Sequence, residues 1–193
     1  MVSLSTLLLA AVATFASAHV SCNPPTAPAN GYFTTIVRVP HSYPNATTTN
    51  VTVQLAPNVT SVKPQLVAGW KVDLTYAAAD ATKLEAITWY GGELPDALYG
   101  DFGLQMKLPN APVGTVFYFP VTQATSNGTI AWTSIPDANG NLSDPAHPAP
   151  KVTIVNATTT SPGAAPAPVA KSGVTHTTAS TLVVATAAAL IWA

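Results

Sequence analysis

Asn50-Val51-Thr52-Val53-Gln54-Leu55, closed by Ala56-Pro57-Asn58, carries an apolar side chain at every second position. That is the period of a strand with one face on a core and the other in water, and the Pro-Asn step after it reads as a turn. The same rhythm recurs on both sides of it, in short runs separated by Pro, Gly, Asn and Asp, and no stretch sustains a helical period. Strands are predicted at 19–21, 33–39, 50–55, 70–76, 85–89, 102–108, 115–123, 130–134 and 152–155. Short strands at this spacing, without helical crossovers, predict an all-β antiparallel sandwich of the immunoglobulin or cupredoxin kind. Proline falls mostly between the runs, because it has no N–H to give a ladder. Pro120, inside 115–123, is expected to mark an edge or a bulge.

Outward from these strands the composition changes. Residues 1–18 run from a short polar start through an apolar stretch to Ala16-Ser17-Ala18, the small-x-small pattern that signal peptidase cuts after. Such a cut makes His19 the first residue of the mature chain. At the other end, 181–193 is an uncharged apolar run, preceded by a polar spacer at 175–180 and by the small residues Ser172 and Gly173. Small site, spacer and apolar terminus predict exchange of 172–193 for a glycosylphosphatidylinositol (GPI) anchor at Ser172 or Gly173. The run is too short to span a bilayer, which takes about 20 residues. Residues 156–171 are rich in Thr, Ala, Pro and Ser and hold almost no large apolar side chain, so they read as an extended stalk. The expected organisation is a leader (1–18), one β-domain (19–155), a stalk (156–171) and an anchor signal (172–193). An anchor of this type implies a eukaryotic source, and a fungal cell surface suits the composition.

Only 8% of residues are charged and the net charge is -1, so no basic face is expected to grip nucleic acid. Six Asn-x-Ser/Thr acceptors, at Asn45, Asn50, Asn58, Asn127, Asn141 and Asn156, predict a surface solubilised by glycans. Cys22 is the single cysteine, which excludes an intramolecular disulfide and leaves a small buried thiol, a soft metal ligand or an intermolecular link.

Catalytic signatures are absent from the sequence. There is no Gly-x-Ser-x-Gly elbow, no Cys/His arrangement around Cys22 and no glycine-rich loop leading into a helix. The acidic residues Asp73, Asp80, Glu85, Glu93, Asp96, Asp101, Asp137 and Asp144 offer chance pairs, none of which stands out for glycoside cleavage. The histidines say more. A mature N-terminal His19 offers its α-amine, with a pKa of about 8, and its imidazole Nδ1 within one chelate ring. Two nitrogens from one residue suit Cu(II), which favours nitrogen in a tetragonal plane. His41, in Pro40-His41-Ser42, reads as a solvated loop residue, and His147, in His147-Pro148-Ala149-Pro150, as structural; His176 falls in the expected anchor signal.

Taken together, several stretches carry a family resemblance: His19-Val20, Gly31-Tyr32, Val37-Arg38-Val39-Pro40, residues 49–57, Ala68-Gly69-Trp70-Lys71-Val72, Ile87-Thr88-Trp89 and Asp101-Phe102-Gly103-Leu104. Gln123, Asn127-Gly128-Thr129 with Trp132, and His147-Pro148-Ala149-Pro150 complete the set. In this order and spacing the chain resembles the YcnI-like copper-binding domain family over nearly all of 19–155. The resemblance implies an immunoglobulin-like sandwich holding Cu(II) by a brace from one mature N-terminal histidine, a role that falls on His19. It also implies a tryptophan beside the copper, which falls on Trp132, although a core aromatic reads equally well there. A glutamate of the family, just after the Gly-aromatic start of its second strand, corresponds to Phe33. With no carboxylate there, copper is held by fewer protein ligands plus water, by a substitute such as Cys22, Glu93 or Asp101, or not at all.

Three functions are expected in descending order. The first is a non-catalytic cell-surface protein that captures or passes on copper. The second is a structural or adhesive glycosylated wall domain without metal, and the third a histidine-brace copper oxidase of polysaccharide, which needs His41 or His147 as a second ligand. The expected location is the outer face of the plasma membrane or the cell wall, with copper and the anchored membrane as partners.

Overall fold

The computed structural model describes residues 19–156. The leader (1–18), the stalk beyond Asn156, the anchor signal with Ser172 and Gly173, and His176 lie outside the described residues. Twelve strands and no helix occur within them: β1 (Ser21–Asn23), β2 (Thr26–Pro28), β3 (Tyr32–Val39), β4 (Thr47–Gln54), β5 (Thr60–Pro64), β6 (Lys71–Ala77), β7 (Asp80–Pro95), β8 (Gly100–Lys107), β9 (Val116–Tyr118), β10 (Val121–Thr125), β11 (Gly128–Trp132) and β12 (Lys151–Val155).

They form a four-stranded sheet in the order β1-β3-β8-β5, a five-stranded sheet β11-β10-β4-β7-β6 and a small third sheet β2-β12-β9. Every ladder between strands is antiparallel except β12 with β2. The alternation that marked Val51 and Val53 is realised: both are fully buried, while Asn50 and Thr52, which alternate with them, are half-buried on the other face of β4. On β3 the inward set is Phe33, Thr35, Val37 and Val39. Trp89 on β7 meets Phe102 on β8 with ring centroids 5.4 Å apart, and Trp70 stands edge-on to the same Phe102 at 5.0 Å. These aromatics join the inner faces of the two larger sheets into one core, the packing of an all-β sandwich.

The run 115–123, expected as one strand, is two. β9 pairs with β12 and β10 with β4, so the chain changes sheet at Phe119-Pro120. Phe119 N–H is bonded to the carbonyl of Pro150, while Pro120, which has no N–H, uses its carbonyl to accept from Gln54. The first strand starts at Ser21 rather than His19, which leaves His19 just ahead of the β1 ladder.

Candidate functional site

Continued backward from Ser21, which lies opposite Arg38, the antiparallel β1–β3 register carries the chain past Val39 toward Pro40. His19 is therefore brought to the end of the sandwich where β3 gives way to Pro40-His41-Ser42. It is exposed, and its ring centroid lies 6.0 Å from that of Trp132, the last residue of β11. Trp132 is 2% exposed, and two further imidazoles stand edge-on to it: His41 at 6.1 Å and His147 at 5.0 Å. The three histidines of the described residues thus surround one indole, although they are far apart in sequence.

Each member is held by identifiable contacts. Trp132 Nε1–H donates to Gln123 Oε1 at 2.9 Å, and Gln123 Nε2 donates to the His41 carbonyl at 2.8 Å and to Thr48 Oγ1 at 2.7 Å. Gln123, fully buried on β10, therefore ties the indole to the loop that carries His41. His41 Nδ1–H donates to the Ser42 carbonyl at 2.8 Å. The next hydroxyl, Ser42 Oγ, is buried without a hydrogen-bond partner among the described residues, while Ser42 N–H donates to Asp96 at 3.0 Å. His147 Nδ1 sits 2.7 Å from Asp144 Oδ2, an ion pair when the ring is charged, and this contact is the main reason the Asp144 carboxyl lies below its ordinary pKa.

Of the substitutes for the carboxylate at Phe33, Cys22 and Asp101 are unsuited or otherwise engaged. Cys22 is buried on β1 itself, and burial pushes its thiol up to about 12 against a weaker lowering by Thr35, so it stays protonated and is a poor metal ligand. Asp101 forms a bidentate pair with Arg38, both contacts 2.7 Å. Glu93 is exposed on β7. Phe33 itself faces Met106 at the start of β3. The six residues from there to Val39 span about 20 Å of strand, so Phe33 belongs to the opposite end of the core from His19.

Among the described residues no three His, Cys, Asp or Glu side chains converge tightly enough to hold a metal ion. A metal at this place must draw on the main-chain amine that processing would expose at His19. The donor set fits Cu(II) in kind: an amine and imidazole nitrogens beside an aromatic wall, with no thiolate. The indole nitrogen of Trp132 is committed to Gln123, so what Trp132 offers a metal is its ring. Gln123, which carries part of the family resemblance, and Asp144 are not expected from the sequence as supports of this place. Asp144 carried a local signal, since an acid three residues before a histidine in a Pro-rich turn can fold back on it.

Of the six sequons, Asn45, Asn58, Asn127, Asn141 and Asn156 are exposed, and Asn50 is half-buried on the central strand β4. Asn45 and Asn58 have φ of 59° and 64°, the left-handed turn conformation that asparagine tolerates better than most residues.

Two face-packed sheets with an aromatic–histidine cluster at one end define an immunoglobulin-like all-β domain. Residues 19–154 match the family model described as a domain of unknown function, DUF1775, which is the YcnI-like family, and the chain belongs to it. A solved protein from Nocardia farcinica, described as having an immunoglobulin-like fold, is 32% identical over 72% of this chain and 100% of its own, with a TM-score of 0.60. A cohesin–dockerin complex from Clostridium thermocellum aligns at 13% identity over 71% of this chain and 98% of its own, with a TM-score of 0.39. No curated protein matches the chain.

Proposed function

We propose that this is a non-catalytic copper-binding domain displayed at a cell surface, holding Cu(II) through the α-amine and Nδ1 of a processed His19. The observation that carries the reading is the placement of His19 against Trp132, 6.0 Å between ring centroids, directly after a signal-peptidase pattern. One residue supplies two nitrogens, and the buried indole shields one side of the ion from water. Release of the leader and replacement of 172–193 by a GPI anchor would leave the domain on a glycosylated stalk outside the plasma membrane or in a fungal-type wall. There it can capture copper or hand it on.

The test uses the protein secreted through its own leader, with the amino terminus verified by mass spectrometry. Its partner is a variant carrying one extra alanine ahead of His19. The native start is expected to bind one Cu(II) tightly with nitrogen splitting in electron paramagnetic resonance (EPR), and the extended start to lose it. If both bind alike or not at all, a glycosylated wall domain without metal is the better account. The oxidase reading gains one specific observation, the presence of His41 and His147 around the same indole. Peroxide formation by the copper-loaded protein with a reductant would favour it over simple binding.

A further inference from the structure

The Asp144–His147 pair lies outside the single-residue brace, and its geometry is that of a prepared ligand. We propose that His147 supplies a further nitrogen, Nε2, to the copper held at His19, so that this site uses two histidines and the Asp144 carboxylate acts as the outer partner. The inference rests on the copper reading given above and names the ligand that reading leaves open.

Three observations carry it. First, the Asp144 carboxylate 2.7 Å from Nδ1 draws the ring proton there, which leaves the lone pair of the neutral imidazole on Nε2. A carboxylate behind the far nitrogen is how metal-ligating histidines are commonly oriented and made more basic.

Second, the backbone around the pair is clamped beside Trp132. Ser134, two residues beyond the indole, donates from its N–H to the His147 carbonyl at 3.2 Å and accepts from Ala149 N–H at 2.8 Å. Ser134 Oγ also accepts from Asp144 N–H at 3.0 Å. The ring is thus held edge-on to Trp132 while its side chain keeps 37% of its surface exposed. Third, His19 lines one surface cavity together with Pro148, Ala149 and Pro150, the residues that immediately follow His147. His19 and the segment after His147 therefore face the same space, with Trp132 beside both rings.

The experiment takes the processed full-length protein and compares it with His147→Ala, Asp144→Asn and His41→Ala. The readouts are Cu(II) affinity by competition titration and the number of coordinated imidazoles by pulsed EPR. The wild type is expected to show two imidazoles. His147→Ala should show one and bind at least about tenfold more weakly, and Asp144→Asn should keep two while losing about tenfold in affinity. His41→Ala should keep two coordinated imidazoles. Thermal melts identify any variant that has lost its fold, and Asp144→Asn, nearly isosteric, guards against that outcome for His147→Ala. One imidazole in the wild type, with His147→Ala unchanged, overturns the inference and leaves the His19 brace standing. Loss of the second imidazole in His41→Ala instead assigns the ligand to His41 and also overturns it. A wild type that binds no copper overturns both readings.

Discussion

Trp132 and Gln123 are joined by a hydrogen bond of 2.9 Å in which the indole N–H donates to the side-chain amide oxygen, with both residues almost fully shielded from solvent. A buried amide is retained only where its donors and acceptors are met, and Gln123 meets them by reaching both the His41 carbonyl and Thr48. The result is a polar brace inside an apolar core that fixes how the indole and the His41 loop stand to each other.

Gln123→Leu should therefore be costly despite its apolar side chain. It strands the Trp132 N–H, the Thr48 hydroxyl and the His41 carbonyl, and a buried group left unsatisfied costs about 1–3 kcal/mol. The expected result is a fall of several degrees in melting temperature, with a change in the near-ultraviolet circular dichroism of tryptophan. An unchanged melt would mean that the network rearranges freely.

Gly92 makes a second sharp prediction. A Cβ built there would run into the Trp70 indole at Cε2, far inside van der Waals contact, and Trp70 is packed edge-on against Phe102. Gly92→Ala must push the indole aside and open the sheet-to-sheet contact, at a cost of about 1–3 kcal/mol for overpacking. Chemical denaturation would measure it, and Gly92→Ala with Trp70→Phe should recover part of the loss by making room.

The sandwich was legible because β3, β4 and β8 bury alternate side chains, so periodicity alone marks them. β2 and β5 were not. β2 has three residues and pairs in parallel with the distant β12, while no residue of β5 is fully buried, so neither carries a strong alternation. A proline in a strand-like run, such as Pro120, signals an interruption without saying that the chain crosses to another sheet. The nearness of the His19 and Trp132 rings is what the processing pattern and the family resemblance lead one to expect. The approach of His41 and His147 to one indole depends on long-range register, which spacing along the chain does not encode.

Cys22 gives a pH prediction with a definite sign. Its thiol is pushed from 9.0 to about 12, mainly by burial, so the folded state holds the neutral form more strongly than the unfolded chain does. This contribution to stability is fully present below pH 9 and is lost as pH rises toward 12. A thiol reagent at pH 8 should leave the native protein unlabelled and react only at the rate of unfolding; rapid labelling without denaturant would contradict the burial.

The sequons at Asn45 and Asn58 present two demands at one residue, since each asparagine is also the left-handed residue of a turn. The demands separate at 58–60, because Thr60→Ala removes the acceptor pattern without touching the strained backbone. In protein made without glycosylation, Asn58→Gly should keep or raise stability, as glycine meets no penalty at positive φ, whereas Asn58→Ala should lose about 1 kcal/mol. Thr60→Ala, exposed at the start of β5, should change little. In glycosylated protein, a loss of stability or solubility in Thr60→Ala then belongs to the sugar, and a loss confined to Asn58→Ala belongs to the turn. If Asn58→Ala matches Asn58→Gly in the unglycosylated protein, the turn at 58 places no demand on the residue, and the glycan becomes the better account of asparagine there.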